Sequence, residues 1–138
     1  MQEELNRSVY IYCGEIINRM FKSKKKKTYW NYPAMASVCC LKGSKKYRGF
    51  SQRAYDNSYP QSILRTQLLK LGKIGERVGT KGFRLGSCAE PHAAKKLLKN
   101  ESQCNDLKDI YFSVAMRPRT RQIFSPCENC KKVFPTLK

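Results

Sequence analysis

Two short segments hold the residues best suited to chemistry: Ser87-Cys88-Ala89-Glu90-Pro91-His92 and Ser125-Pro126-Cys127-Glu128-Asn129-Cys130. In the second, two cysteines three apart at a helix start lie on one face. The free amides and dipole of a helix start favour thiolates, the species that binds zinc. Pro126, just before Cys127, suits such a start. The first segment puts Cys88 at another helix start, where Pro91 is tolerated because the first turn does not use its missing N–H. Cys88, Cys127 and Cys130 supply three ligands and leave a fourth position for water, as a catalytic zinc site requires. Glu90 is close to the metal without being needed as a ligand, so it is free to move protons. The same residues also fit a closed structural site, with His92 or Cys104 as fourth ligand and Glu90 as a helix cap. Outside such a site, His92 is read as a hydrogen-bonded neighbour of the centre or a core residue.

Taken together, the two segments resemble the zinc-dependent nucleobase and nucleoside deaminase superfamily. Its signature is His-or-Cys-Ala-Glu, then Pro-Cys-x-x-Cys some tens of residues later. Ile123-Phe124-Ser125-Pro126-Cys127 is similar to the aromatic-Ser-Pro-Cys of the AID/APOBEC polynucleotide cytidine deaminases, with Phe for their usual Trp. Cys-Ala-Glu-Pro-His resembles bacterial deaminase toxins and the secreted AID/APOBEC-like deaminases of animals. The resemblance covers residues 34–134 in topology. It implies Zn²⁺ on Cys88, Cys127 and Cys130, with Glu90 as proton shuttle. The implied activity is hydrolytic deamination of cytosine to uracil in single-stranded nucleic acid, DNA ahead of RNA. Two departures stand out. The first ligand is Cys where the polynucleotide enzymes usually have His, and the short stretch after Cys130 leaves little room for the last two strands of a standard five-stranded sheet. A free cytidine deaminase and a non-catalytic, zinc-stabilised nucleic-acid-binding module are the alternatives.

Charge favours a polymeric substrate. The 138 residues include 28 Lys and Arg against 10 Asp and Glu, a net charge of +18. That calls for a polyanion, nucleic acid ahead of an anionic membrane surface; a small neutral nucleoside does not need it. Arg117, Arg119 and Arg121 lead into the second segment and are expected either as phosphate contacts at the pocket mouth or as a solvated loop. Phe124 is expected either as a wall of the base pocket or as plain core. Lys24, Lys25, Lys26 and Lys27, beside Trp30, form either a phosphate and stacking patch or a solvated linker.

Hydrophobic residues make up 41% of the chain, which excludes wholesale disorder. No apolar run reaches the roughly 18 residues of a membrane span, so no integral membrane protein is expected. The acidic start lacks a signal-peptide plan. Asn6-Arg7-Ser8 and Asn100-Glu101-Ser102 are glycosylation sequons. Secretion and a cytoplasmic or nuclear location both stay open, secretion slightly ahead. Cys13, Cys39, Cys40 and Cys104 are either buried thiols or two disulfides.

To position this chemistry the chain is expected to form one domain over 1–138, monomeric and α/β. Its plan is a cytidine-deaminase-like sheet flanked by helices, with a compact C-terminus. Residues 1–33 carry a helix and the basic and aromatic segment; 34–138 form the catalytic core. The apolar spacing predicts a helix over 4–22 and strands at 34–41 and 46–51 joined as a hairpin. Beyond them it predicts a short helix near 63–71, a helix over 90–99, a strand over 110–116 and a helix from about Cys127. The five glycines from Gly72 to Gly86 read as turns, and residues 117–123 as a loop.

Overall fold

The computed structural model of the chain describes residues 1–22 and 33–137. Lys24, Lys25, Lys26, Lys27 and Trp30 lie outside the described residues. The elements are α1 (Gln2–Lys22), β1 (Ala36–Cys40), β2 (Lys46–Phe50), α2 (Ile63–Leu69), β3 (Arg77–Val78), β4 (Phe83–Arg84), α3 (Ala89–Asn100), β5 (Tyr111–Phe112), β6 (Ala115–Met116), β7 (Ile123–Phe124) and α4 (Glu128–Val133). The larger sheet runs β2-β1-β6-β7, with β5 also paired to β1, and each of these pairings is antiparallel. The architecture is therefore mixed α/β, an antiparallel sheet flanked by helices. No helix among the described residues is long and apolar enough to cross a membrane.

Side-chain alternation along β1 builds a core on each face of this sheet. All five β1 residues are buried, as a central strand covered on both sides requires. Ala36, Val38 and Cys40 join Met116 and the α1 stripe Leu5, Val9, Tyr12, Cys13 and Ile16. Those α1 positions recur at three- and four-residue steps, the spacing of a single helical stripe. Cys39, on the other face, joins Ala93, Ala94 and Leu97 of α3 together with Leu64, Leu68, Val133 and Phe134. Cys13, Cys39, Cys40 and Cys104 are all free thiols, the first three buried.

Helix α3 lies directly on the backbone of β2. A Cβ built on Gly49 would stand 2.3 Å from Ala93 N and 2.7 Å from Ala89 O, so the contact needs glycine on the strand and alanines on the helix. This approach fixes where the first turn of α3 ends, and Cys88 and Glu90 with it.

The expected strand over 110–116 is interrupted. Ser113 takes over one step of the ladder through its side chain: its Oγ accepts Val38 N at 2.9 Å, while its own N donates to Val38 O at 2.8 Å. The next amide, Val114 N, turns to Asn6 Oδ1 at 2.9 Å. Asn6 of the first sequon thus ties α1 to the sheet. The expected loop 117–123 instead closes β6 and β7 into a hairpin, held by Arg117 N to Gln122 O at 2.9 Å. The glycine-rich connection contains a second hairpin, β3–β4.

Gly49→Ala is expected to lower stability by about 2 kcal/mol or more, because the neighbour it meets is helix backbone with little room to give. Urea denaturation followed by circular dichroism measures this; an unchanged midpoint would mean that α3 does not lie on β2 as described.

Candidate metal centre

Cys88 is the N-cap of α3 and Cys127 the N-cap of α4, and the two share the same backbone angles, φ −69° and ψ 162°. Neither side chain caps its helix, so both sulfurs point elsewhere, toward each other. Their Sγ atoms are 3.1 Å apart, and Cys130 Sγ, one turn into α4, is 3.4 Å from Cys127 Sγ. The three sulfurs all lie within 4.8 Å of one another, a group that could hold a metal ion. Tetrahedral thiolate ligation with zinc–sulfur bonds of about 2.3 Å puts sulfurs about 3.8 Å apart, so a slight opening accommodates the ion. Among the described residues no further His, Cys, Asp or Glu belongs to the group, which leaves a coordination position open.

The thiols already behave as a unit. Contacts with Cys130 and Cys88, then the amides of Cys130 and Asn129, hold the Cys127 thiol far below the usual cysteine range. Contact with Cys127, and burial, push the Cys88 and Cys130 thiols up. Cys88, Cys127 and Cys130 would bind a cation as thiolates, so its binding would release protons.

Glu90 sits in the first turn of α3 and is 3% exposed. Its Oε1 is 4.0 Å from Cys130 Sγ, and its Oε2 is buried without a hydrogen-bond partner. Burial, reinforced by the neighbouring Cys127, pushes this carboxyl up to about 7, against the pull of its own amide. A buried, unpaired carboxyl oxygen is costly for stability alone, and here it borders a cavity of about 840 Å³ that Cys88 and Cys127 also line.

The remaining expected site residues are distributed differently. Phe124 lines the cavity, together with its ladder partner Ala115. Arg117 lies with its guanidinium carbon 4.7 Å from the centre of the Phe124 ring and is not among the residues that line the cavity. Arg119 is exposed on the β6–β7 turn. Arg121 was expected at the cavity mouth, but it stacks on Tyr10 of α1 at 4.8 Å and donates from Nη1 to Pro118 O at 2.9 Å. The cause is the tight turn closed by Arg121 N to Arg117 O at 2.8 Å, with Arg121 in the left-handed region at φ 63°. His92 and Cys104 lie apart from the three sulfurs. His92 Nε2 is 3.2 Å from Gln52 O and its ring is 5.6 Å from that of Tyr59; Cys104 Sγ faces Asp106 O. Sequence reasoning missed Lys81, Phe83, Arg84 and Lys131, all of which line the cavity. One signal was present: Val78-Gly79-Thr80-Lys81-Gly82-Phe83 sets two glycines between apolar residues, a hairpin pattern.

No family model, curated protein or solved structure matches this chain.

Cys127→Ala protein, loaded with zinc and dialysed, is expected to retain well under half the metal of the parent by elemental analysis; a full equivalent would remove Cys127 from the ligand set. His92 gives a separate outcome. Burial, then Lys95, lowers its ring to about 4, against the pull of Gln52 O. The unfolded chain binds that proton near pH 6.5, so between about 4 and 6.5 stability falls as pH falls, by up to about 3 kcal/mol. His92→Gln should flatten this slope in urea melts at pH 4.5 and 6.5, whereas parallel profiles would place His92 in solvent.

Proposed function

We propose that the chain is a zinc-dependent deaminase converting cytosine to uracil in single-stranded nucleic acid, DNA ahead of RNA. One observation carries this: an open three-cysteine group and a buried carboxyl with one unpartnered oxygen meet at the wall of one cavity. A structural metal site has no use for that carboxyl or that cavity. The paired motifs Cys88-Ala89-Glu90 and Pro126-Cys127-x-x-Cys130, and their resemblance to the zinc-dependent deaminases, support the same reading. So does the fold, insofar as an α/β sheet carries both helix starts.

Cys88, Cys127 and Cys130 would hold the ion, and a bound zinc ion supplies Lewis acidity that makes water a better nucleophile near neutral pH. The overall reaction is cytosine plus water giving uracil plus ammonia. Glu90 Oε2 has no competing partner, so it can take a proton from the attacking water. It passes that proton to the ring nitrogen, then takes the remaining proton of the added hydroxyl and gives it to the departing amine as the carbon–nitrogen bond breaks. Phe124 and Ala115 bound the space for a planar base. The net charge of +18 favours a polyanionic substrate over free cytidine.

Glu90→Gln is expected to reduce uracil formation in a cytosine-containing oligonucleotide by about a hundredfold or more, with metal content and circular dichroism unchanged. Turnover at the parental rate in that variant would sink the assignment. A parent protein that converts cytidine but not the oligonucleotide would shift the substrate to the free nucleoside.

A further inference from the structure

At the lip of the cavity stands an element outside both motifs, the β3–β4 hairpin. Two residues inside the Cys127–Cys130 motif hold it. Glu128 Oε1 accepts Lys81 N at 2.7 Å, and Asn129 Nδ2 reaches Phe83 O and Val78 O at 3.4 and 3.5 Å. The contact is close enough that a Cβ on Gly79 would stand 2.5 Å from Glu128 Oε1. The hairpin braces itself as well: Arg77 Nη1 donates to Gly82 O at 3.0 Å and Arg84 Nη1 to Gly75 O at 3.1 Å. Its position relative to the three cysteines is thus set by the helix that carries Cys130.

The hairpin gives the cavity Lys81, Phe83 and Arg84, and α4 adds Lys131. Lys81 and Lys131 are exposed, and Phe83 is 42% exposed although it is a large apolar ring. Against these three cations the rim carries Glu128, whose Oε1 already serves the Lys81 amide. Point cations around an exposed aromatic ring fit a polymer that alternates phosphates with flat bases. By contrast, Arg117 covers Phe124 and Arg121 is spent on α1.

We propose that the β3–β4 hairpin, with Lys131, is the strand-binding site. Lys81, Arg84 and Lys131 take the phosphates flanking the base in the cavity, and Phe83 stacks on a neighbouring base. The base in the cavity rests on the deaminase reading; the capture of a strand does not, and it is measured apart from it.

The test is fluorescence anisotropy with a labelled oligothymidylate of about 12 nucleotides, which contains no cytosine, titrated across a salt series. Lys81→Ala/Lys131→Ala is expected to bind about tenfold more weakly at low salt. Its slope of log affinity against log salt should flatten by about 1.4, two single-strand phosphate contacts. Phe83→Ala is expected to bind about tenfold more weakly. Lys70→Ala/Lys99→Ala removes the same charge from exposed positions on other elements and should stay within about twofold of the parent. Circular dichroism and metal content confirm folding of each variant. A lysine pair that tracks the Lys70/Lys99 control, or Phe83→Ala protein that binds like the parent, overturns the proposal. Uracil formation in a cytosine oligonucleotide, read in parallel, separates the two ideas. Hairpin-dependent binding without uracil removes the deaminase reading alone, and uracil with hairpin-independent binding removes the hairpin alone.

Discussion

Everything in this fold answers to one close approach, that of two helix starts whose capping residues are both cysteine. Neither Cys88 nor Cys127 gives its side chain to capping, and the amides of Asn129 and Cys130 help to lower the Cys127 thiol. Deprotonating three thiols gathered this tightly sets like charges side by side, a cost that a bound cation would offset. The rest of the chain supplies the rigidity that tolerates the cost. Gly49 lets α3 sit on β2 without an intervening side chain, and Val133 and Phe134, at the end of α4, anchor that short helix in the core shared with α3.

The loop before the site is braced from the α3 side. His92 stays neutral beneath Gln52, Tyr59 gives its hydroxyl to Gly86 O, and Lys95 lies 5.0 Å from the Tyr59 ring while its Nζ donates to Ser58 O. These contacts hold residues 52–59 and 86 together, just ahead of Cys88. The opposite face of the sheet does none of this. There α1 covers Val38 and Met116, and Arg121, leaving the cavity, fastens the β6–β7 turn to Tyr10.

What could be read from sequence was what depends on spacing alone. The stripe of α1, the β1–β2 hairpin, the two helix starts and the Cys127–Cys130 pair follow from local pattern, while Cys88 was joined to that pair by the paired motifs. The interruption at Ser113 was not legible, since it depends on a serine meeting Val38 and an asparagine arriving from α1. Arginines 117, 119 and 121 look alike in the sequence; a turn with one left-handed residue sends Arg117 to Phe124 and Arg121 to α1. The glycine-spaced segment looked like mere punctuation because its partners, Glu128 and Asn129, are more than forty residues away. Apart from the turn itself and Arg117 on Phe124, these are long-range pairings, which periodicity does not encode.

The reach of α1 across the sequence also orders events in time. Its side chains meet residues made much later: Asn6 bonds to Val114 at a separation of 108 residues, and Cys13 faces Met116 at 103. During synthesis the α1 stripe can therefore meet Ala36, Val38 and Cys40 of β1 early, but it stays partly uncovered until Met116 is made. Contacts of such separation form late and slow the overall reaction. Until then part of that helix stripe is bare, a state in which holding chaperones act and aggregation competes.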